Sequence, residues 1–260
     1  MKTTKSKDGT ILAYDIFGDG PPLIFITGAT CFRSFEPVLY DATVFAEQFT
    51  VYNYDRRGRG DSGDTLPYSI DREIEDIEAM IDVAGSQANL YGHSSGAILA
   101  LEAAMQLDKK VSKLVLYDPP YADNKANLAE FQELSQDLRK LLDNEKNDKA
   151  LRRFLEGIGT PGEVIDYMFR QSPQWTTMTA LAPTLVYDTI IAGDLPPISK
   201  VALLTTPTQI IVGEKNPGSI QEVGKQLSNA IPDAVYIQLE QQNHMPDPKV
   251  LLPFLTSFLK

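Results

Sequence analysis

Asn89-Leu90-Tyr91-Gly92-His93-Ser94-Ser95-Gly96-Ala97-Ile98-Leu99-Ala100 is the stretch whose reading decides the fold. A short apolar run meets Gly-x-Ser-x-Gly and passes at once into an alanine-rich helical pattern. Strand, sharp turn and helix in that order form the setting in which a serine is raised above a sheet edge as a nucleophile. Such a turn strains the serine backbone, so glycines two residues to either side remove the side chains that would collide with strand and helix. With Gly and Ser each at roughly 7% of residues, the bare pattern arises by chance in about one chain in ten of this length. The flanking elements must therefore carry the reading.

Upstream, Ile70, Ile74, Ile77, Ile81 and Ala84 recur at helical spacing with acidic residues between them, which predicts an amphipathic crossover helix. Before it, Thr50 to Tyr54 reads as a strand running into Asp55-Arg56-Arg57-Gly58-Arg59-Gly60-Asp61-Ser62, a loop whose charges are expected to fix it by ion pairs. A short helical segment is expected from about Thr43 to Gln48. Leu23-Ile24-Phe25-Ile26 is a continuous apolar run, as in a strand buried on both faces, and it ends in Thr27-Gly28-Ala29-Thr30. Asp8-Gly9 is a hairpin signal, so the chain is expected to open with an antiparallel pair whose second strand spans Thr10 to Phe17.

Downstream, Lys113 to Tyr117 is a strand closed by Asp118-Pro119-Pro120. From there to Pro197 the pattern is helix after helix. Leu128, Phe131, Leu134, Leu138, Leu141 and Leu142 make one apolar stripe, Thr160-Pro161-Gly162-Glu163 has the form of a capping box, and Ser172-Pro173 opens a segment through Trp175 and Met178. Strands resume at Pro207 to Gly213 and Val235 to Leu239, separated by a helix from Val223 to Ile231, and Asp247-Pro248 caps a final helix. The alternation predicts an α/β fold with a mostly parallel central sheet and helices on both faces. Residues 1–120 and 198–260 form its core, and residues 121–197 a helical cap over one edge.

The 260 residues suffice for one such domain, and a net charge of -11 disfavours nucleic acid and acidic membrane surfaces as partners. The single cysteine, Cys31, excludes an internal disulfide and reads as buried filler. No apolar run is long enough to span a bilayer, and Met1 to Asp8 is polar, so a cytoplasmic protein is expected. Without clustered His and Cys residues or a glycine-rich phosphate loop, no metal and no organic cofactor is expected. The expected partner is a small-molecule substrate, with homo-oligomerisation left open.

A serine hydroxyl needs a base to take its proton. Of the two histidines, His93 precedes Ser94 with its side chain pointing the other way and reads as a packed, hydrogen-bonded residue. His244 remains, in the loop before the last helix. The Gly92 to Gly96 turn, the Asp55 to Ser62 stretch, the helical insertion and the late His244 together resemble the α/β-hydrolase superfamily, in the branch with a helical cap after the sixth strand. The resemblance covers residues 8 to 260. It implies Ser94 as nucleophile, His244 as general base and an oxyanion hole from the backbone N–H groups of Ala29 and Ser95.

Two departures accompany it. Thr27-Gly28 stands where the family usually has His-Gly, and Asn216 stands where its acid is commonly found. Some members take the acid from the preceding strand, which here implies Asp118, with Glu214 and Asn216 as alternatives. The implied activity is hydrolysis of a small carboxylic ester, or a related acyl compound, through an acyl-enzyme. A weakly catalytic binding or sensing protein, or a cofactor-free lyase or oxygenase, is the alternative on the same fold. Trp175, Met178 and Phe169 are candidates to line the substrate site beneath the cap.

Overall fold

The computed structural model describes residues 1–260, apart from the side chains of Met168 and Phe169. The proposed contribution of Phe169 to a substrate site therefore lies outside the described residues. Strands β1 (Lys2–Lys5), β2 (Ile11–Phe17), β3 (Pro22–Ile26), β4 (Thr50–Tyr54), β5 (Ala88–His93), β6 (Val111–Tyr117), β7 (Thr208–Gly213) and β8 (Val235–Leu239) form one sheet in the order β1-β2-β4-β3-β5-β6-β7-β8. β2 runs antiparallel to both of its neighbours, and from β4 to β8 the pairing is parallel. The chain is thus an α/β-hydrolase fold.

Register brings the site together. Ile26 pairs with Gly92, Gly92 with Leu116, and Leu116 with Ile210. The carboxyl ends of β3, β5, β6 and β7 consequently open side by side, where ligands of open α/β sheets bind. Period-two alternation divides the core: Ile24, Leu90, Leu114, Leu116 and Ile210 face α2 (Ile70–Val83), α3 (Ser95–Leu107) and α10 (Gly218–Ala230). Leu23, Phe25, Tyr91, Val115 and Ile211 face α1 (Glu36–Phe45) and α11 (Pro248–Leu259).

Between β6 and β7 the chain forms α4 (Lys125–Leu142), α5 (Asn147–Gly157), α6 (Gly162–Val164) continuing into a π turn, α7 (Trp175–Ala180), α8 (Leu185–Ala192) and α9 (Ile198–Val201). Most of these helices share a separate apolar cluster around Leu138, Leu151, Phe154, Met178 and Leu185. Among the described residues no helix is long and apolar enough to cross a membrane.

Three local expectations shift. α1 begins at Glu36 because Pro37 suits a first helical turn, whereas Glu47 and Gln48 only bond back to Val44 and Phe45. Pro161, not Thr160, precedes α6, and among the described residues no side chain caps that helix; the Thr160 N–H instead closes α5 on the Leu155 carbonyl. α10 starts five residues before Val223, in a polar turn that carries no apolar period.

Candidate active site

Ser94 sits between β5 and α3 with φ 58° and ψ −130°, a backbone conformation that β-carbon sterics penalise. Its neighbours permit this only as glycines. A Cβ on Gly92 would lie 2.4 Å from the Gly96 carbonyl oxygen, and one on Gly96 would lie 2.2 Å from that of Ile26. Gly28 approaches from β3 so closely that a Cβ there would be 2.8 Å from Ser94 Cβ and 3.3 Å from its Oγ. The Thr27 to Ala29 loop therefore lies against the serine hydroxyl. Ser95 opens α3, where helix geometry leaves its N–H without an intrahelical acceptor. Among the described residues the Ala29 N–H likewise enters no backbone hydrogen bond.

The structure separates the three candidate acids. Asp118, fully buried just past β6, faces the His244 ring, with Nδ1 and Oδ2 3.1 Å apart. Asn216 donates from Nδ2 to the same Oδ2 at 2.5 Å, and the Gly213 N–H donates to Oδ1 at 3.1 Å. Burial raises the Asp118 carboxyl above its ordinary range, and these three hydrogen bonds oppose the rise. Glu214 is exposed and accepts from the Gln241 N–H at 2.8 Å, away from the imidazole. With Nδ1–H directed at a carboxylate, His244 is left with Nε2 as an acceptor. Among the described residues no hydrogen bond joins Ser94 Oγ to His244, and such bonds often close only when substrate binds.

His93, read from the sequence as a packed, hydrogen-bonded residue, and Tyr117, read only as the end of a strand, hold the loop that carries His244. His93 Nε2 lies 2.7 Å from the His244 carbonyl oxygen, and since a carbonyl only accepts, this nitrogen carries the proton. Burial, followed by the nearby His244, lowers the His93 pKa to about 3, so the ring stays neutral. The Tyr117 hydroxyl donates to the Asn243 carbonyl at 2.7 Å. Arg56 and Arg59 are buried and donate to the Thr27 and Gly28 carbonyls of the loop after β3 at 3.3 and 2.6 Å. Both also pair with Asp188 of α8. A carboxylate inside the apolar run Leu185 to Ile191 was the one sequence signal that could have singled it out.

Met178 is buried in the cluster of the inserted helices, and Trp175 packs against that cluster with its indole N–H donated to Asp148 at 2.8 Å. Cys31 is buried, and burial pushes its thiol up to about 11, consistent with filler rather than a thiolate nucleophile.

With this geometry in view, residues 23–252 match the family model described as the alpha/beta hydrolase family. The chain belongs to the alpha/beta hydrolase family. This alpha/beta hydrolase is similar to a crystal structure of an alpha/beta hydrolase from Sphaerobacter thermophilus, with 37% identity, a TM-score of 0.90 and all of both chains covered. It is 37% identical over 109 residues to N-formylmaleamate deformylase of Pseudomonas putida, a match spanning 40% of this chain and 39% of that protein. It is 24% identical over 249 residues, 90% of this chain and 92% of the other, to a pimeloyl-acyl-carrier-protein methyl ester esterase of Nitrosospira multiformis. The chain thus matches only about two fifths of the length of the first of these curated relatives.

Proposed function

We propose that this alpha/beta hydrolase cleaves a small carboxylic ester through an acyl-enzyme on Ser94. Two observations carry the reading: Ser94 is held at a strained backbone position against the Gly28 loop, and the His244 imidazole meets the buried Asp118 carboxylate. Ser94 Oγ attacks the ester carbonyl as His244 Nε2 takes its proton. The N–H groups of Ala29 and Ser95 stabilise the oxyanion, and Asp118 orients the imidazole and offsets its charge. Collapse expels the alcohol, protonated by His244. Water, deprotonated by the same nitrogen, then releases the acid and restores Ser94. The helices of residues 121–197 act as a cap, with the acyl chain beneath the cluster that includes Met178, against which Trp175 and Ala29 pack.

The reading is tested by intact mass and peptide mapping after exposure to a fluorophosphonate. Stoichiometric labelling at Ser94 is expected, absent in Ser94→Ala and slowed at least tenfold in Asp118→Asn. A folded parent that resists the reagent and turns over no p-nitrophenyl ester overturns it, and undiminished labelling in Asp118→Asn removes the acid from that position.

A further inference from the structure

Asp188 lies on α8, 93 residues beyond Ser95, and is 3% exposed. Its Oδ1 accepts from Ser95 Oγ at 2.7 Å and from Arg56 Nη1 at 3.0 Å, and its Oδ2 accepts from Arg59 Nη2 at 2.7 Å. The two arginines carry the contact onward. Arg59 Nη1 donates to the Gly28 carbonyl, and Arg56 Nη1 to that of Thr27. One carboxylate from the inserted helices therefore joins the first residue of α3 to the loop after β3. Those are the two segments that supply the Ser95 and Ala29 N–H groups.

Charge makes the contact specific. Arg56 has a second buried anion, Glu73, which binds its Nε and Nη2 at 2.8 and 2.5 Å. Among the described residues the one carboxylate paired with Arg59 is Asp188. Burial alone would raise the Asp188 carboxyl, but Arg59, Arg56 and the Ser95 hydroxyl hold it below the ordinary range, so it is ionised. The preceding residue seats the same helix: the Tyr187 ring stacks on Tyr68 at 3.8 Å between centroids, and its hydroxyl donates to Asp64 at 2.6 Å.

We propose that Asp188 is a positioning residue that holds the two oxyanion donors in register, making the seating of α8 a condition of turnover. The inference rests on the reading of Ser94 as nucleophile with donors at Ala29 and Ser95. Because those donors act mainly on the tetrahedral state, their misplacement lowers kcat and spares KM.

The experiment compares the parent with Asp188→Asn and Ser95→Ala, using p-nitrophenyl butyrate turnover and inhibition by a trifluoromethyl ketone, which forms a tetrahedral adduct on the serine. Asparagine keeps the shape but sets an amide donor or a neutral oxygen against the arginines. Loss of a whole oxyanion donor costs about 100-fold or more in kcat, so displacement by Asp188→Asn is expected to cost about 10- to 100-fold. KM is expected to stay within about threefold and ketone affinity to fall in parallel with kcat. Ser95→Ala removes only the hydroxyl link, and a smaller loss with the same signature is expected. It carries the test if Asp188→Asn does not fold.

Folded variants with parental kcat and parental ketone affinity overturn the positioning role while leaving Ser94 as nucleophile. A loss confined to KM or to melting temperature also overturns it. A parent that neither turns over the ester nor forms the adduct removes both the nucleophile assignment and the role of Asp188.

Discussion

Asn216 shows how much one amide changes at this site. Its Nδ2 donates to the oxygen of Asp118 that faces His244, so it supports the negative charge of its neighbour. A carboxylate in its place would stand within hydrogen-bond distance of another carboxylate, and two such groups share a proton. Asn216→Asp is therefore expected to raise the second ionisation of the pair above the unfolded value of about 3.9. A raised folded pKa means that the native state holds the proton longer, so stability is present at low pH and falls as pH rises through the raised value. The cost is about 1.4 kcal/mol for each unit of the rise. Thermal melts at pH 5 and pH 8 check it: the deficit relative to the parent is expected to widen at pH 8, and a deficit independent of pH contradicts the shared-proton account.

At the scale of elements, the loop between β8 and α11 is anchored by the residues that precede the other two proposed members of the triad. His93, before Ser94, binds the His244 carbonyl, and Tyr117, before Asp118, binds the Asn243 carbonyl. The strand ends explain the arrangement. His93 and Tyr117 are the last residues of β5 and β6, and the chain turns at the next residue, with φ 58° at Ser94 and 49° at Asp118, so each predecessor is left to reach the loop. Tyr117→Phe deletes a single hydroxyl and is expected to lower kcat/KM for an ester about fivefold, the rate equivalent of about 1 kcal/mol. Steady-state kinetics on the folded variant decide it, and a parental kcat/KM means that His93 suffices to hold the loop.

Across the whole molecule, the buried arginines join segments that no local pattern connects. Arg33 binds Asp15 of β2 and Asp55, Arg56 binds Glu73 of α2 and Asp188 of α8, and Arg57 binds Asp76 of α2 and Asp8 of the opening hairpin. Removing one partner strands the others without solvent. Arg57→Met leaves the buried Asp76 without its cation and Asp8 with only Arg72, 4.0 Å away, and a loss of about 3–5 kcal/mol in urea unfolding is expected. Its hydrogen bonds go to Asp8, Asp76 and the Arg72 carbonyl, clear of the Thr27 to Ala29 loop. Folded Arg57→Met is accordingly expected to react with a fluorophosphonate at the parental rate, which separates stability from catalysis.

The amino-acid sequence alone determined what short-range sterics and periodicity control. The turn at Ser94 is legible because the atoms that would clash with a Cβ on Gly92 belong to the helix that follows at once, although those nearest Gly96 come from Ile26 and Thr27. The strands are legible because burial on both faces demands continuous apolar residues. That Asp118 meets His244 was implied by the family resemblance, while the residue pattern alone left Asp118, Glu214 and Asn216 open. Asp118, Glu214 and Asn216 all follow adjacent strands, and the outcome turns on the parallel register of β6 with β7 and on the left-handed backbone at Asp118, φ 49°. Nor was Asp188 legible as a partner of Ser95, because a contact across 93 residues exists only once α8 docks against α3. Burial then strengthens every charge in that contact, and only the tertiary structure decides which charges are buried together.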